Sequence, residues 1–243
     1  MKLTQHRIAA LVVVSTVLTV AAEIVFWHFK AISNPASAES ADVNSVFEAL
    51  LRVGLPFLVV PTTALIMGLI FSRQNTQAPA SRISSIPKLE AAWTFIPLAI
   101  IIGVAVFGGA KLMDMEQTSQ NELEIQVTAS QYAFQFSYPQ YGITSYELVV
   151  PVNQRIHFSM TSEDVVHDFW VPQWGPKQDL LPGMTTNLLI TPTEIGDFTV
   201  ICSQLCGVGH TYMSAPVQVL SQSDFAAWLS QQQKAPAATA GMS

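Results

Sequence analysis

Charge is scarce in this sequence. Asp, Glu, Lys and Arg together make up 12% of its 243 residues, about half the share of an ordinary soluble domain. That deficit argues against a wholly soluble globule. Half of the residues are hydrophobic, which excludes disorder over most of the chain, because disordered chains are polar and highly charged. Cations are scarcer than anions: eleven Lys and Arg face seventeen Asp and Glu, a net charge of −6. No basic surface is available to a nucleic acid, so none is expected as a partner. Two cysteines are too few for a disulfide scaffold.

What charge there is lies unevenly. Residues 114–243 carry twelve carboxylates and three cations, a net of −9, whereas residues 1–113 carry a net of +3. The two halves read as facing different compartments. The first half holds three apolar stretches. Ile8–Ala22 is uncharged, follows Lys2 and Arg7, and continues past Glu23 to Phe29. It fits either a signal-peptide core or a membrane anchor, and Ala36-Ser37-Ala38 offers a distant small-residue cleavage site. Val53–Ser72 and Ala91–Ala110 are uncharged runs of membrane-spanning length. Pro56, Pro61 and Pro97 are compatible with membrane helices. Arg73, Arg82 and Lys88 lie between the two runs, with Glu90 at the edge of the second. The positive-inside rule puts that link in the cytoplasm and everything after Lys111 outside.

The outer half reads as all-β. Strand patterns run over Glu124–Thr128, Ala133–Tyr138, Glu147–Pro151, Arg155–Thr161, Thr186–Thr191 and Asp197–Cys202. Pro, Gly and Asn turn signals separate them, as in a sandwich or barrel. Ser223–Gln233 reads as a short helix capped by Ser223. The Ala/Pro-rich tail after Lys234 reads as disordered. The divisions are thus 1–42, an apolar segment and linker; 43–113, a helical hairpin; 114–234, the outer domain; and 235–243, the tail.

The chemistry concentrates in Cys202-Ser203-Gln204-Leu205-Cys206-Gly207-Val208-Gly209-His210-Thr211-Tyr212-Met213. Thiolate, imidazole and thioether donors favour copper over hard cations. Gly207 and Gly209 argue for a wrapped loop rather than a helix. His167 is the best further ligand. His6 and His28 belong to the N-terminal segment, and His157 sits in a strand pattern. On spacing alone, a Cys202–Cys206 disulfide or a zinc site of two Cys and two His remain open alternatives.

With these residues in view, the sequence resembles subunit II of haem–copper cytochrome c oxidases over roughly residues 43–230. Four stretches carry the resemblance: Leu89-Glu90-Ala91-Ala92-Trp93-Thr94-Phe95-Ile96-Pro97, Val165–Pro172, Lys177–Gly183 and the Cys202–Met213 loop, which is similar to the binding loop of a dinuclear CuA centre. The fold so implied is α + β: a transmembrane helical hairpin, preceded by a first helix or signal, then a cupredoxin-like β-sandwich outside the membrane.

The resemblance implies that Cys202 and Cys206 bridge two coppers and that His167 and His210 each cap one. Met213 and the main-chain carbonyl of Gln204 become weak ligands. Asp164 and Trp170 become tuning neighbours of His167, Tyr132 the surface contact for electron uptake, and Glu90 the mouth of a proton path. Two departures stand out. The family often has Glu where Gln204 stands, and that side chain helps hold a magnesium at the border with subunit I. An amide supplies no charge, which puts the magnesium in question. Tyr132 stands where the family has Trp.

The implied function is electron uptake from cytochrome c or a blue-copper protein, for transfer to the haems of a catalytic subunit I, with subunit III as a further partner. Oxygen reduction there is coupled to proton translocation, in the plasma membrane of a prokaryote. The acidic outer half offers one means of steering a basic donor. The alternatives are a CuA-bearing subunit of a nitric-oxide reductase and a membrane-tethered copper carrier.

Overall fold

The computed structural model describes residues 2–27, 29–73, 86–117 and 121–234. His28, the link that carries Arg82, and the tail after Lys234 lie outside these residues. The chain divides into two compact units, Met1–Ala31 with Ser45–Ala110, and Ile32–Asn44 with Lys111–Ser243.

The first unit is built from helices α1 (Lys2–Phe26), α2 (Ala38–Arg73) and α3 (Pro87–Met115), the last two running on into the second unit. Each is long and apolar enough to cross a membrane, over Gln5–Phe26, Ala38–Phe71 and Pro87–Met115. α3 buries none of its residues, and a helix that is apolar all round suits lipid.

The second unit is two five-stranded sheets. One holds β1 (Leu123–Ser130), β2 (Ala133–Tyr138), β3 (Ile143–Ser145), β5 (Ile156–Ser162) and β8 (Thr186–Ile190), in the order β3-β2-β1-β5-β8. The other holds β4 (Leu148–Pro151), β6 (His167–Trp170), β7 (Lys177–Leu180), β9 (Gly196–Cys202) and β10 (Ser214–Leu220), in the order β4-β10-β9-β6-β7. The β1/β5 and β4/β10 pairs are parallel and the others antiparallel. Period-two alternation turns Ile125, Val127 and Ala129 of β1 and Ile156, Phe158 and Met160 of β5 inward. They meet Phe169, Val200, Val217 and Val219 of the other sheet. Phe158 lies 5.1 Å from Phe169, centroid to centroid. Each such fully buried side chain stabilises the sandwich by roughly 1.5–3 kcal/mol. The expected class, helices followed by a β-sandwich, is the one observed.

Four strands carry no clear sequence pattern. β3 is three residues long and β7 reads Lys-Gln-Asp-Leu. β6 opens on the buried pair His167 and Asp168. β10 contains Pro216, which argues against a central strand. The register explains the proline: β4 pairs only with Val217–Leu220, so Pro216 has β9 as its sole strand neighbour. The helix cap also needs correction. α4 spans Gln222–Lys234, and the backbone N–H of Asp224 donates to Ser221 Oγ at 3.1 Å. Ser221 is the cap, not Ser223, because Asp224 returns the bond by accepting from Ser221 Oγ.

Residues 32–44 belong to the β unit. Ala36 N–H donates to Gln173 O at 2.8 Å, and Ala38 N–H to Thr191 O at 3.0 Å. Ser37 Oγ accepts from Ser40 N–H at 3.0 Å and so caps α2. Ala36-Ser37-Ala38, weighed as a cleavage site, is here a strap against the sandwich. Buried Glu39 accepts from Thr191 N–H at 2.9 Å and pairs with Arg155 at 3.3 Å.

Candidate metal centre

The site is built where strand ends meet. β6 pairs with the end of β9, setting Phe169 opposite Cys202. His167 therefore enters from β6 beside the last residue of β9. β9 and β10 are antiparallel neighbours, and Cys202 N–H donates to Met213 O at 3.0 Å. That bond closes the base of a loop over residues 203–212. Inside it, His210 N–H donates to Gly207 O and Tyr212 N–H to Gly209 O, forming a 3-10 turn. The turn brings His210 and Met213 back over Cys206.

The donor atoms converge in a chain of contacts. Cys202 Sγ lies 3.8 Å from Cys206 Sγ. His167 Nδ1 is 3.9 Å from Cys202 Sγ, and His210 Nδ1 is 3.6 Å from Cys206 Sγ. Gln204 O is 3.2 Å from Cys202 Sγ, and Met213 Sδ is 3.8 Å from Cys206 Sγ. Each cysteine has its own histidine and its own weak donor. Both cysteines are free, their sulfurs far beyond the 2.05 Å or so of a disulfide. Ligand atoms of His167, Cys202 and Cys206 all lie within 4.8 Å of one another, and all three residues are buried.

Electrostatics favour a cation between them. Burial pushes the Cys206 thiol up to about 11, and neighbouring Cys202 pushes it the same way. Two thiolates cannot sit side by side in this pocket without a positive charge to hold them. The donor set is soft and borderline, two sulfur anions, two imidazoles, a thioether and a carbonyl, and it fits copper better than a hard cation.

Neighbouring groups orient the ligands. Asp164 Oδ1 accepts from His167 Nε2 at 2.8 Å, which leaves Nδ1 unprotonated towards Cys202. Burial works to raise the Asp164 carboxyl. The His167 bond and the N–H groups of Val165 and Gln131 outweigh it and hold the group at about 2. Gln131 was not singled out from sequence, yet its side-chain amide donates to Cys206 O at 2.6 Å and its backbone N–H to Asp164 at 2.7 Å. Ser203, also missed, donates to buried Asp168. Burial raises the Asp168 carboxyl, and Asp179 faces it from the neighbouring strand β7. No sequence signal announces such long-range bonds.

The family model for the periplasmic domain of cytochrome c oxidase subunit II matches residues 133–220. Cytochrome c oxidase subunit 2 of Thermostichus vulcanus is 27% identical, over 86% of this chain and 82% of that protein. The subunit 2 of Cereibacter sphaeroides is 26% identical, over 81% and 78%. That of Bacillus sp. (strain PS3) is 34% identical, over 61% of this chain but 46% of that protein. The outer part of the chain is thus similar to the periplasmic domain of cytochrome c oxidase subunit II. Its relatives are oxidoreductase subunits of haem–copper oxidases. Among solved structures, the periplasmic domain of subunit II of the Bradyrhizobium japonicum cytochrome oxidase matches with 28% identity and a TM-score of 0.46, over 49% of this chain and 98% of that one.

The remaining residues singled out from sequence fall in three places in this subunit II relative. Tyr132 lies against the metal loop: a Cβ at Gly209 would stand 2.6 Å from its ring, and one at Gly207 would stand 2.6 Å from its hydroxyl. Trp170 sends its indole N–H to Gly175 O at 3.3 Å and carries Lys177 over its ring. Glu90 sits in the first turn of α3, where its carboxylate accepts from Ile86 N–H at 3.2 Å.

Proposed function

We propose that this chain is the electron-accepting subunit of a terminal haem–copper oxidase. The observation that carries the reading is the paired geometry of the loop, with one histidine and one weak donor per cysteine around a shared pair of sulfurs. His167, Cys202, Gln204, Cys206, His210 and Met213 would hold a dinuclear copper centre. When bound, such a centre would supply a one-electron redox site there. The chain contributes rigidity. Cys202 and Met213 are locked by the ladder at the loop base, and His167 by Asp164, so little needs to move when charge arrives.

In this reading residues 114–234 form the outer domain and residues 43–113 the membrane hairpin, in the plasma membrane of a prokaryote with the copper site outside. The chain takes electrons from cytochrome c or a blue-copper protein near Tyr132. It hands them to the haems of subunit I, where oxygen is reduced and protons are moved, with subunit III alongside. Glu90 would stand at the mouth of a proton path. Gln204 offers its main-chain carbonyl to copper but brings no carboxylate for a magnesium at the subunit I border. Burial of both cysteines argues against a copper carrier, whose ligands must exchange.

The test uses the full chain in detergent, loaded with copper. Two coppers per chain, a purple colour and a seven-line EPR pattern are expected. One bound zinc in a colourless protein, or a Cys202–Cys206 disulfide, would overturn the reading. Cys206→Ser should abolish the dinuclear signal.

A further inference from the structure

α1 is 25 residues long, well beyond the roughly 7–15 apolar residues of a signal-peptide core. It runs antiparallel to α2 and meets it at three levels. Near one end, the Arg7 guanidinium stands 5.0 Å from the centre of the Phe71 ring. Midway, Leu11, Ser15, Thr19, Pro56 and Val60 line one groove. Ser15 is buried, and small residues at such a contact let membrane helices approach each other. At the other end, the Arg52 guanidinium stands 4.9 Å from the centre of the Trp27 ring. Glu23, the one carboxylate in α1, lines a small cleft with Trp27, Glu48 and Arg52. A carboxylate within a span calls for a cation nearby, and Arg52 stands in that cleft.

The strap after α1 is woven into the β unit. Ile32 N–H donates to Asn44 Oδ1 at 2.9 Å, and Ile32 O accepts from Asn44 Nδ2 at 3.1 Å. Ala36 is 1% exposed, and its carbonyl accepts from Thr193 N–H at 2.9 Å. Ser37 Oγ donates to Trp174 O at 2.7 Å. A cut after Ala38 would take the Ser37 cap from α2 and all of these bonds from the domain. It would also set a new ammonium on Glu39, a buried residue at the positive end of the α2 dipole. Backbone that is buried and hydrogen-bonded is a poor place for a cut.

We infer that α1 is retained as a third membrane span, docked along α2, and that the strap behind it is a built-in part of the outer domain. Because the strap lies on the sandwich, α1 leaves the membrane on the sandwich side. Arg7 then stays on the opposite side, in keeping with positive charge inside. The span and the strap hold none of the metal ligands, so the copper reading stands or falls separately.

The experiment uses the full chain, expressed in bacterial membranes with a C-terminal affinity tag. N-terminal sequencing of the purified protein should start at Met1 or Lys2. A start at Glu39, or anywhere beyond α1, would overturn the inference. Docking is read from a version with a protease site inserted after Asn34, which is exposed. After cutting in detergent, α1 should stay with the tagged remainder through washing. Trp27→Leu should weaken that retention about two- to fivefold, the worth of one cation–π contact. Val17→Ala, at an exposed position of α1, should not. A fragment that washes away from the parent, or retention unchanged by Trp27→Leu, would overturn the docking. In a second variant a cleavable signal peptide replaces residues 1–38, so that the mature chain starts at Glu39. Its sandwich should unfold at lower denaturant than that of the parent, and an equal midpoint would overturn the part assigned to the strap.

Discussion

His167 Nε2 lies 2.8 Å from Oδ1 of Asp164, three residues earlier in the chain. The pair fixes which imidazole nitrogen is free, and the free one faces Cys202. Asp164→Asn keeps an acceptor but loses the charge. Copper affinity is expected to fall about 10- to 100-fold, measured by competition with a chelator. The reduction potential should rise, because a negative charge near the metal is gone. The sign of the pH dependence follows from the low carboxyl value. Asp164 is held at about 2 against 3.8 ordinarily, so its contribution to stability is complete above that ordinary value. It is lost as pH falls through about 2. Acid unfolding of the parent and of Asp164→Asn, compared by circular dichroism, should diverge above that window and converge below it.

A second pair ties the two sheets together. Tyr138 of β2 donates to Val149 O and accepts from Val149 N–H, both at 2.9 Å. β4 is an edge strand, so one hydroxyl satisfies a backbone pair that no further strand covers. Tyr138→Phe leaves both groups buried and unpaired, at a cost of about 2–3 kcal/mol. Burial raises the tyrosine above its usual 10.0, with the Val149 bond pulling it back and the Glu147 charge adding to the rise. A raised value in the fold means full stability below pH 10 or so, and loss as pH climbs beyond it. Urea unfolding at neutral and alkaline pH should show the parent losing stability that Tyr138→Phe does not.

The strap before α2 carries a third expectation. Glu39 accepts from Thr191 N–H at 2.9 Å and pairs with Arg155, whose guanidinium also reaches Glu122 at 3.6 Å and Met115 O. Glu39→Ala strips the part-buried Arg155 of one carboxylate and leaves the Thr191 N–H unpaired. A loss of about 3 kcal/mol is expected. Glu39→Gln should lose less, because its amide oxygen still serves Thr191. Denaturant midpoints of the β unit read both.

These pairs show where sequence reading reaches and where it stops. Cys202, Cys206, His210 and Met213 are legible because one loop holds them within twelve positions. His167 is legible only by elimination among the histidines and by resemblance, since nothing local says that β6 pairs with the end of β9. The long apolar runs announce α2 and α3 because lipid imposes a length and a composition. Strands with buried alternation, such as β1 and β5, declare themselves. β7 does not, because its pattern is polar and its place depends on pairing with β6. Glu39 and Gln131 look like ordinary polar residues until the fold brings Thr191 or Cys206 to them.

Two glycines under Tyr132 separate steric from conformational demand. Gly209 has φ −93° and ψ 6°, which any residue adopts, but a Cβ there would meet ring carbons of Tyr132 at 2.6, 2.7 and 2.8 Å. Gly207 has φ 138°, and its Cβ would meet the Tyr132 hydroxyl at 2.6 Å and Gln131 Nε2 at 2.8 Å. Both Gly→Ala changes should lower copper occupancy, because Tyr132 or the loop must shift. Tyr132→Ala removes the ring that Gly209→Ala collides with. The double variant Tyr132→Ala with Gly209→Ala should therefore bind copper as well as Tyr132→Ala alone. Tyr132→Ala combined with Gly207→Ala should stay impaired. Its backbone strain, of order 1–3 kcal/mol for a non-glycine residue held in such a region, remains after the clash is gone, and the Gln131 amide still stands in the way. Copper-to-protein ratios and the intensity of the visible bands decide it. Equal rescue of both would mean that Gly207 is needed for space alone. Rescue of neither would mean that Tyr132 itself, rather than its crowding, holds the loop in its ligand-bearing shape.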